Sequence, residues 1–142
     1  MHPNPAQIAL AVQHPWAELI VRGVKTLEIR STNAKFRGPI YIYASRKQSD
    51  LPDAALAAAR FGIDVSSLPT GVILGEAELT ESRPALPDDA TAACVRPDLL
   101  MNRFAWRFER PNRFEEPLPV RFLPYGIWFY PFGRKTELEK NC

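Results

Sequence analysis

The sequence has little of what metal sites and disulfide frameworks are made of. Its 142 residues include two cysteines, Cys94 and Cys142, and two histidines, none of them at the spacing of a metal-binding pair. A structural metal site needs several such ligands close together, and a disulfide scaffold needs more cysteines. We therefore expect no metal and no cofactor, because a chain of this length can bury a core without cross-links.

Long hydrophobic runs are missing as well. No segment approaches the roughly 20 apolar residues that a membrane-spanning helix needs. Residues 1–6 are polar and interrupted by proline, unlike a secretory signal. These absences predict a protein that has no contact with membranes and works in the reducing cytoplasm.

The net charge of +2 says little about partners, but the type of cation is informative. Thirteen of the 18 basic residues are arginine, the side chain that binds phosphate bidentately and stacks on bases. Six of them fall within residues 96–121: Arg96, Arg103, Arg107, Arg110, Arg113 and Arg121. This cluster indicates either a nucleic-acid partner or solvated strand faces answered by Glu109, Glu115 and Glu116.

The most informative segment is residues 8–30, which begin with a predicted strand. Ile8, Leu10 and Val12 alternate with small or polar residues, the period of a strand with one buried face. His14 and Pro15 then end the strand, because proline has no amide hydrogen to donate and suits the first position of a helix.

A short helix is predicted to follow from Trp16 to Gly23. Trp16, Leu19 and Ile20 form one apolar stripe, and Glu18 and Arg22 are spaced for an ion pair on the exposed side. Gly23 is predicted to end the helix, since glycine enters the left-handed conformation at little cost.

A second strand is predicted directly after Lys25. Leu27 and Ile29 lie on its buried face, and the opposite face carries Thr26, Glu28 and Arg30.

These residues carry a resemblance to a known family. The run Gln13-His14-Pro15-Trp16-Ala17, followed by Gly23-x-Lys25-x-x-Glu28-x-Arg30, resembles the signature of the ASCH (activating signal cointegrator homology) domain, of the PUA-like superfamily. Arg37-Gly38 with residues 40–45, Phe104-x-Trp106 and Gly126-Ile127-Trp128 are further matches. The resemblance spans nearly the whole chain and implies one complete domain.

The remaining elements are predicted from periodicity and turn residues. We expect strands at residues 40–45, 71–80, 104–109, 120–123 and 127–130, and an irregular excursion at 81–97. We also expect a helix that starts at residues 50–52 and continues through the alanine-rich residues 54–61. Fourteen prolines favour such short elements. The predicted fold is α+β: a small PUA-like β-barrel of six or seven mostly antiparallel strands, with two or three short helices at its ends. Residues 1–142 form one domain in this prediction, and 133–142 a frayed charged tail.

In the barrel that the resemblance implies, the helix tip, the start of the second strand and the end of the third converge on one cleft. We expect it to bind nucleic acid through Gln13, Pro15, Trp16, Lys25, Thr26, Glu28, Arg30, Ser45 and Arg46, with Lys25 contacting phosphate. The alternatives are a salt-bridge network of Lys25, Glu28 and Arg30 that neutralises itself, and a Trp16 that only packs in the core.

The predicted function is binding of RNA or another single-stranded nucleic acid, or of a nucleotide or modified base, in a cationic cleft. Members of the PUA-like superfamily commonly bind RNA or modified bases, so the resemblance supports this prediction. One aromatic ring near a loop, Trp106 or Tyr125, is a candidate to stack on a base.

An enzyme of the same fold is an alternative. Some ASCH proteins hydrolyse an amide on an acylated nucleoside with a lysine, a threonine three positions later and a glutamate, but here Glu28 stands in the threonine's place. As a ribonuclease, the chain would use Lys25 to stabilise the developing phosphorane charge and Glu28 as base. Glu76 and Glu78 are a weaker acid/base candidate, since solvated strands often carry such pairs.

A protein-interaction module is the third alternative. Its contact surface would be the aromatic last third of the chain, with Trp106 or Trp128 at its centre.

Overall fold

The computed structural model describes residues 3–133, so the predicted tail at 133–142 lies outside the described residues except for Gly133. In chain order the strands and helices are β1 (Ala9–Val12), α1 (Trp16–Val21), β2 (Leu27–Arg30), β3 (Gly38–Ala44), α2 (Pro52–Arg60), β4 (Val72–Pro84), α3 (Ala90–Ala93), β5 (Phe104–Pro119) and β6 (Trp128–Phe129). Short 3₁₀ turns lie at Val65–Ser67, Pro87–Asp89 and Pro97–Leu100. None of the helices among residues 3–133 is long and apolar enough to cross a membrane.

The six described strands form one mixed sheet in the order β2-β5-β4-β3-β1-β6. Only β1 and β3 run parallel, and the remaining neighbours are antiparallel. The sheet curves into a half-barrel with short helices, which confirms the predicted α+β, PUA-like fold. Strand β2 begins one residue later than predicted and ends at Arg30 as predicted, and α2 begins at Pro52, within the predicted helix start at residues 50–52.

Helix α1 lies against β3, β4 and β5, and all six of its residues are buried. Its apolar stripe joins the main core cluster, with Leu10, Ile40, Leu79 and Trp106. The expectation that Glu18 faces water is wrong, because its side chain is fully buried. It accepts hydrogen bonds from Arg22 and, from a strand far away in sequence, from Arg113. Burial raises the pKa of Glu18, but these two guanidinium groups outweigh burial and hold it below its usual value.

The longest pairing joins β4 to β5 and was predicted too short. Strand β4 continues to Pro84, and β5 extends to Pro119, with three shifts of register between them. At one shift Gly75 lies so close to the Asn112 carbonyl that a Cβ would stand 2.2 Å from that oxygen. The local sequence hides this length because prolines and charged residues interrupt the alternation where the strands bulge. Residues 120–123, predicted as a strand, form no strand, and β6 has only two residues.

Candidate functional site

The turn after α1 returns the chain to the base of the helix. Gly23 adopts a φ of 80°, and the backbone N–H groups of Val24 and Lys25 both donate to the Leu19 carbonyl. A positive φ at this point is the glycine stop that the sequence predicts. The turn places Lys25 two residues before β2, with its ammonium over the ring of Trp16, the first residue of α1. Strand β2 then carries Glu28 and Arg30 along the same edge.

Next to this turn is a cavity of about 600 Å³. Its polar lining consists of Gln13, Lys25, Glu28, Arg30, Ser45, Ser49 and Arg103. Its apolar walls consist of Ala11, Trp16, Ile29, Leu51, Val95, Leu99, Pro124, Gly126 and Ile127. A concave, mostly apolar site with a few convergent polar groups is the usual form of a small-molecule or nucleotide site.

Three charged side chains form a connected network in this cavity. The Glu28 carboxylate lies 3.7 Å from Lys25 Nζ through Oε1, and it accepts from Arg30 Nε and Nη2 at 3.1 and 2.9 Å through Oε2. Glu28 is only 6% exposed. Two cations thus share one carboxylate, so the network has a net charge of +1 when Lys25 is protonated. The salt-bridge network named as an alternative is therefore present, but it does not fully neutralise itself.

Lys25 is the most enclosed member of the network, with 2% of its surface exposed. Its ammonium donates to the Ala93 carbonyl and lies 4.7 Å from the centre of the Trp16 ring. Burial lowers the pKa of Lys25, against the opposing effect of Glu28. Trp16 is itself buried, so it serves both as core and as one wall of the cavity.

Arg30 connects the network to the strands around it. Its Nη2 also donates to the Ala11 carbonyl at 3.1 Å, and its guanidinium lies 5.8 Å from the Trp106 ring centre. Trp106 stacks on Trp128 at 5.7 Å and donates from Nε1 to the Thr32 carbonyl. Trp106 is 1% exposed, so the expectation that it is free to stack on a base, or to anchor a protein partner, is wrong.

The parallel pairing of β1 with β3 brings two neutral polar side chains together. Val12 lies opposite Ala44, and the Ser45 N–H donates to the Val12 carbonyl at 2.9 Å. Gln13 and Ser45 therefore leave the ends of adjacent strands side by side. Within residues 3–133 neither side chain has a hydrogen-bond partner, so both can bind a ligand.

Three of the nine predicted site residues do not line the cavity. Pro15 faces a separate cavity of about 330 Å³. Thr26 is held by its backbone between the Ala92 carbonyl and the Phe108 N–H. Arg46 is exposed, with its guanidinium beside Gly71. The other six, Gln13, Trp16, Lys25, Glu28, Arg30 and Ser45, are brought together.

Sequence reasoning missed Arg103 as a site residue, although the arginine cluster contains it. Four of the six arginines in that cluster pair with carboxylates: Arg96 with Asp53, Arg107 with Glu81, Arg110 with Glu78 and Arg113 with Glu18. These are not the glutamates expected from the local sequence. Arg103 lines the cavity and has no ion pair within residues 3–133. The same described range holds no group of three or more potential ligands for a metal ion.

Comparison with known proteins identifies the sequence pattern and the fold. The sequence model of the ASCH domain matches residues 10–117. Human activating signal cointegrator 1 is 34% identical over 51% of this chain, and the matched region is 14% of that protein, so the chain spans a small part of this relative.

Among solved structures, the ASCH protein of Zymomonas mobilis is 16% identical with a TM-score of 0.61, covering 97% of this chain and 94% of its own. A variant of the same protein has a TM-score of 0.57 at 16% identity, over 95% of each chain. Identities this low show a shared fold and no more.

Proposed function

The chain belongs to the ASCH domain family, and from that premise we propose that it binds single-stranded RNA, with one nucleotide held in the 600 Å³ cavity. The family is generally regarded as RNA-binding, which gives the class of ligand. The residues that line the cavity support RNA binding by this chain in particular.

One observation carries the proposal: unpaired polar side chains face a cavity that has apolar walls. The Gln13 amide and the Ser45 hydroxyl supply donors and acceptors for a base edge. Leu51 and Leu99 line the walls and Ile127 is 45% exposed, so apolar side chains are available to pack against the faces of a base. Proteins that read single-stranded RNA hydrogen-bond the edges of unstacked bases while other side chains pack against the base faces.

The enclosed position of the polar groups favours a single strand over a duplex. Glu28 and Lys25 are almost fully buried in the cavity, so only a base turned out of a stack can approach them. Base edges in an A-form duplex lie in a deep major groove and are already paired. Single-stranded RNA therefore fits the geometry better.

The test is a titration of labelled single-stranded RNA, single-stranded DNA and duplex RNA at low salt. We expect single-stranded RNA to bind most tightly, and Gln13→Ala to weaken binding roughly three- to tenfold, the effect of one neutral hydrogen bond. Gln48→Ala is the matched control, because Gln48 is exposed and does not line this cavity. Absence of binding at low salt, or equal effects of the two substitutions, would contradict the proposal.

A ribonuclease is the second candidate, favoured by the contact of Lys25 with Glu28. A buried lysine whose pKa is lowered by burial, beside a carboxylate in a cavity, has the character of a catalytic pair. Glu28 would accept the proton of the ribose 2′-hydroxyl as its oxygen attacks phosphorus, and Lys25 would stabilise the charge that develops on the phosphorus oxygens. The bond from phosphorus to the 5′-oxygen would break, and the 5′-oxygen would take a proton from water, leaving a 2′,3′-cyclic phosphate.

Incubation with RNA and with DNA of the same sequence separates binding from cleavage. If the chain is a ribonuclease, RNA alone is cleaved and Glu28→Gln abolishes the cleavage. Cleavage that persists in Glu28→Gln would come from a contaminating nuclease. Intact RNA after prolonged incubation leaves binding as the function.

A further inference from the structure

We propose that the cavity receives an uncharged base at its floor, and that the phosphate of the same nucleotide is held only at its mouth, by Arg103. This inference rests on the proposed function and goes further, because it divides the ligand between two parts of the site. The sequence predicts that Lys25 contacts the phosphate. Here that contact is assigned to Arg103, which lies outside the family signature.

The two cations at the floor, Lys25 and Arg30, already have hydrogen-bond and ion-pair partners within the protein. Lys25 has its ammonium on the Ala93 carbonyl and beside Glu28 Oε1, with 2% of its surface exposed. Arg30 has bonds to both Glu28 Oε2 and the Ala11 carbonyl. A phosphate would have to displace these partners, whereas a neutral base needs no such exchange.

Glu28 also disfavours an anion at the floor. Its carboxylate lines the same cavity and is nearly buried, so its charge is only weakly screened by water. A phosphate close enough to contact Lys25 would stand near this carboxylate as well, and the repulsion would offset most of the attraction. The groups left for a ligand at the floor are the neutral side chains of Gln13 and Ser45, which suit a base edge.

Arg103 differs from Lys25 and Arg30 in its exposure and in its lack of an ion pair among residues 3–133. Its backbone is fixed at both ends, because its N–H donates to the Leu100 carbonyl at 3.2 Å and its carbonyl accepts from Ala85 at 2.9 Å. Its side chain is exposed, lines the cavity and has no carboxylate partner within the described range. Among residues 3–133 the Arg103 guanidinium donates no hydrogen bond, and such a group on an anchored backbone is suited to bidentate binding of phosphate.

The experiment measures the affinity for short single-stranded RNA as a function of salt between about 50 and 200 mM. Arg103→Gln should lower the slope of log affinity against log salt by about 0.7, the value for one phosphate contact on a single strand. It should also weaken binding about tenfold at low salt. Arg103→Lys keeps the charge and should keep the slope.

Two comparisons complete the design. Arg60→Gln removes an exposed arginine that does not line the cavity, so it should leave the slope unchanged. Lys25→Met should weaken binding without changing the slope. A second measurement needs no variant: free nucleosides should compete with the RNA, and inorganic phosphate at the same concentration and ionic strength should not.

The outcomes separate this inference from the proposed function. If the unaltered protein binds no RNA, both are wrong. If it binds RNA but Arg103→Gln keeps the full slope, or Lys25→Met lowers the slope as much, the division of the ligand is wrong and RNA binding stands. Displacement of the RNA by inorganic phosphate alone would also overturn the inference.

Discussion

Replacing Glu28 with glutamine tests whether the three charged side chains act as one network. The substitution keeps the shape of the side chain and removes the one negative charge that Lys25 and Arg30 share. Both cations then remain in the cavity without a counter-charge. Loss of that charge also lowers the pKa of Lys25 further, because Glu28 is the group that favours its protonated form most.

The expected cost follows from the burial of the three side chains. Removing one partner of a buried ion pair costs about 3–5 kcal/mol. Arg30 keeps 21% of its side chain exposed, and the glutamine oxygen still accepts from it, so the lower end of this range applies. We therefore expect Glu28→Gln to reduce the free energy of unfolding by about 3 kcal/mol.

Urea unfolding at neutral pH measures this loss. The control is Glu78→Gln, the same chemical change in the pair with Arg110, whose side chains are 38% and 65% exposed. Exposed pairs contribute at most about 1 kcal/mol. If Glu28→Gln costs no more than Glu78→Gln, the network does not stabilise the fold and the description of the cavity floor is wrong.

Two further predictions concern pH and packing. Burial lowers the pKa of Lys25 in the folded chain below its usual 10.5. At pH values between the folded and the unfolded pKa, the unfolded chain holds a proton on Lys25 that the folded chain lacks. The stability of the protein should therefore rise with pH in that window. Lys25→Met should remove this rise, which urea unfolding from about pH 7 to 10 detects; an unchanged pH profile would contradict the assignment. Gly75→Ala should cost about 3 kcal/mol, because its Cβ would stand 2.2 Å from the Asn112 carbonyl oxygen. Gly62→Ala, with a positive φ but no atom within 4 Å of its Cβ, should cost only about 1 kcal/mol in the same measurement.

Residues 8–30 show how much local sequence can predict. The alternation in β1 and β2, the proline before α1 and the glycine after it all depend on neighbours in the sequence, and these elements lie within one or two residues of their predicted bounds. The same segment carries most of the family signature. The family and the α+β fold could therefore be recognised before any coordinates.

The candidate site was predictable only in part. Six predicted residues line the cavity because they lie at strand and helix ends that the fold brings together. Arg103 could not be selected from its cluster, since nothing in the local sequence distinguishes it from the arginines beside it. Its neighbours are paired by carboxylates on other elements, as Arg96 is by Asp53, 43 residues away.

The sequence alone therefore determined the elements of residues 8–30, their order and the family, because period, caps and turns are properties of adjacent residues. Tertiary structure alone decided which charges remain free. Glu18 is paired with Arg113 from β5, Arg113 being 95 residues away in the sequence. Trp106 stacks on Trp128, and Lys25 lies beside Glu28 within the cavity. The physical reason is that burial and ion pairing depend on which distant strands meet, and register across a sheet is set by the packing of the whole chain.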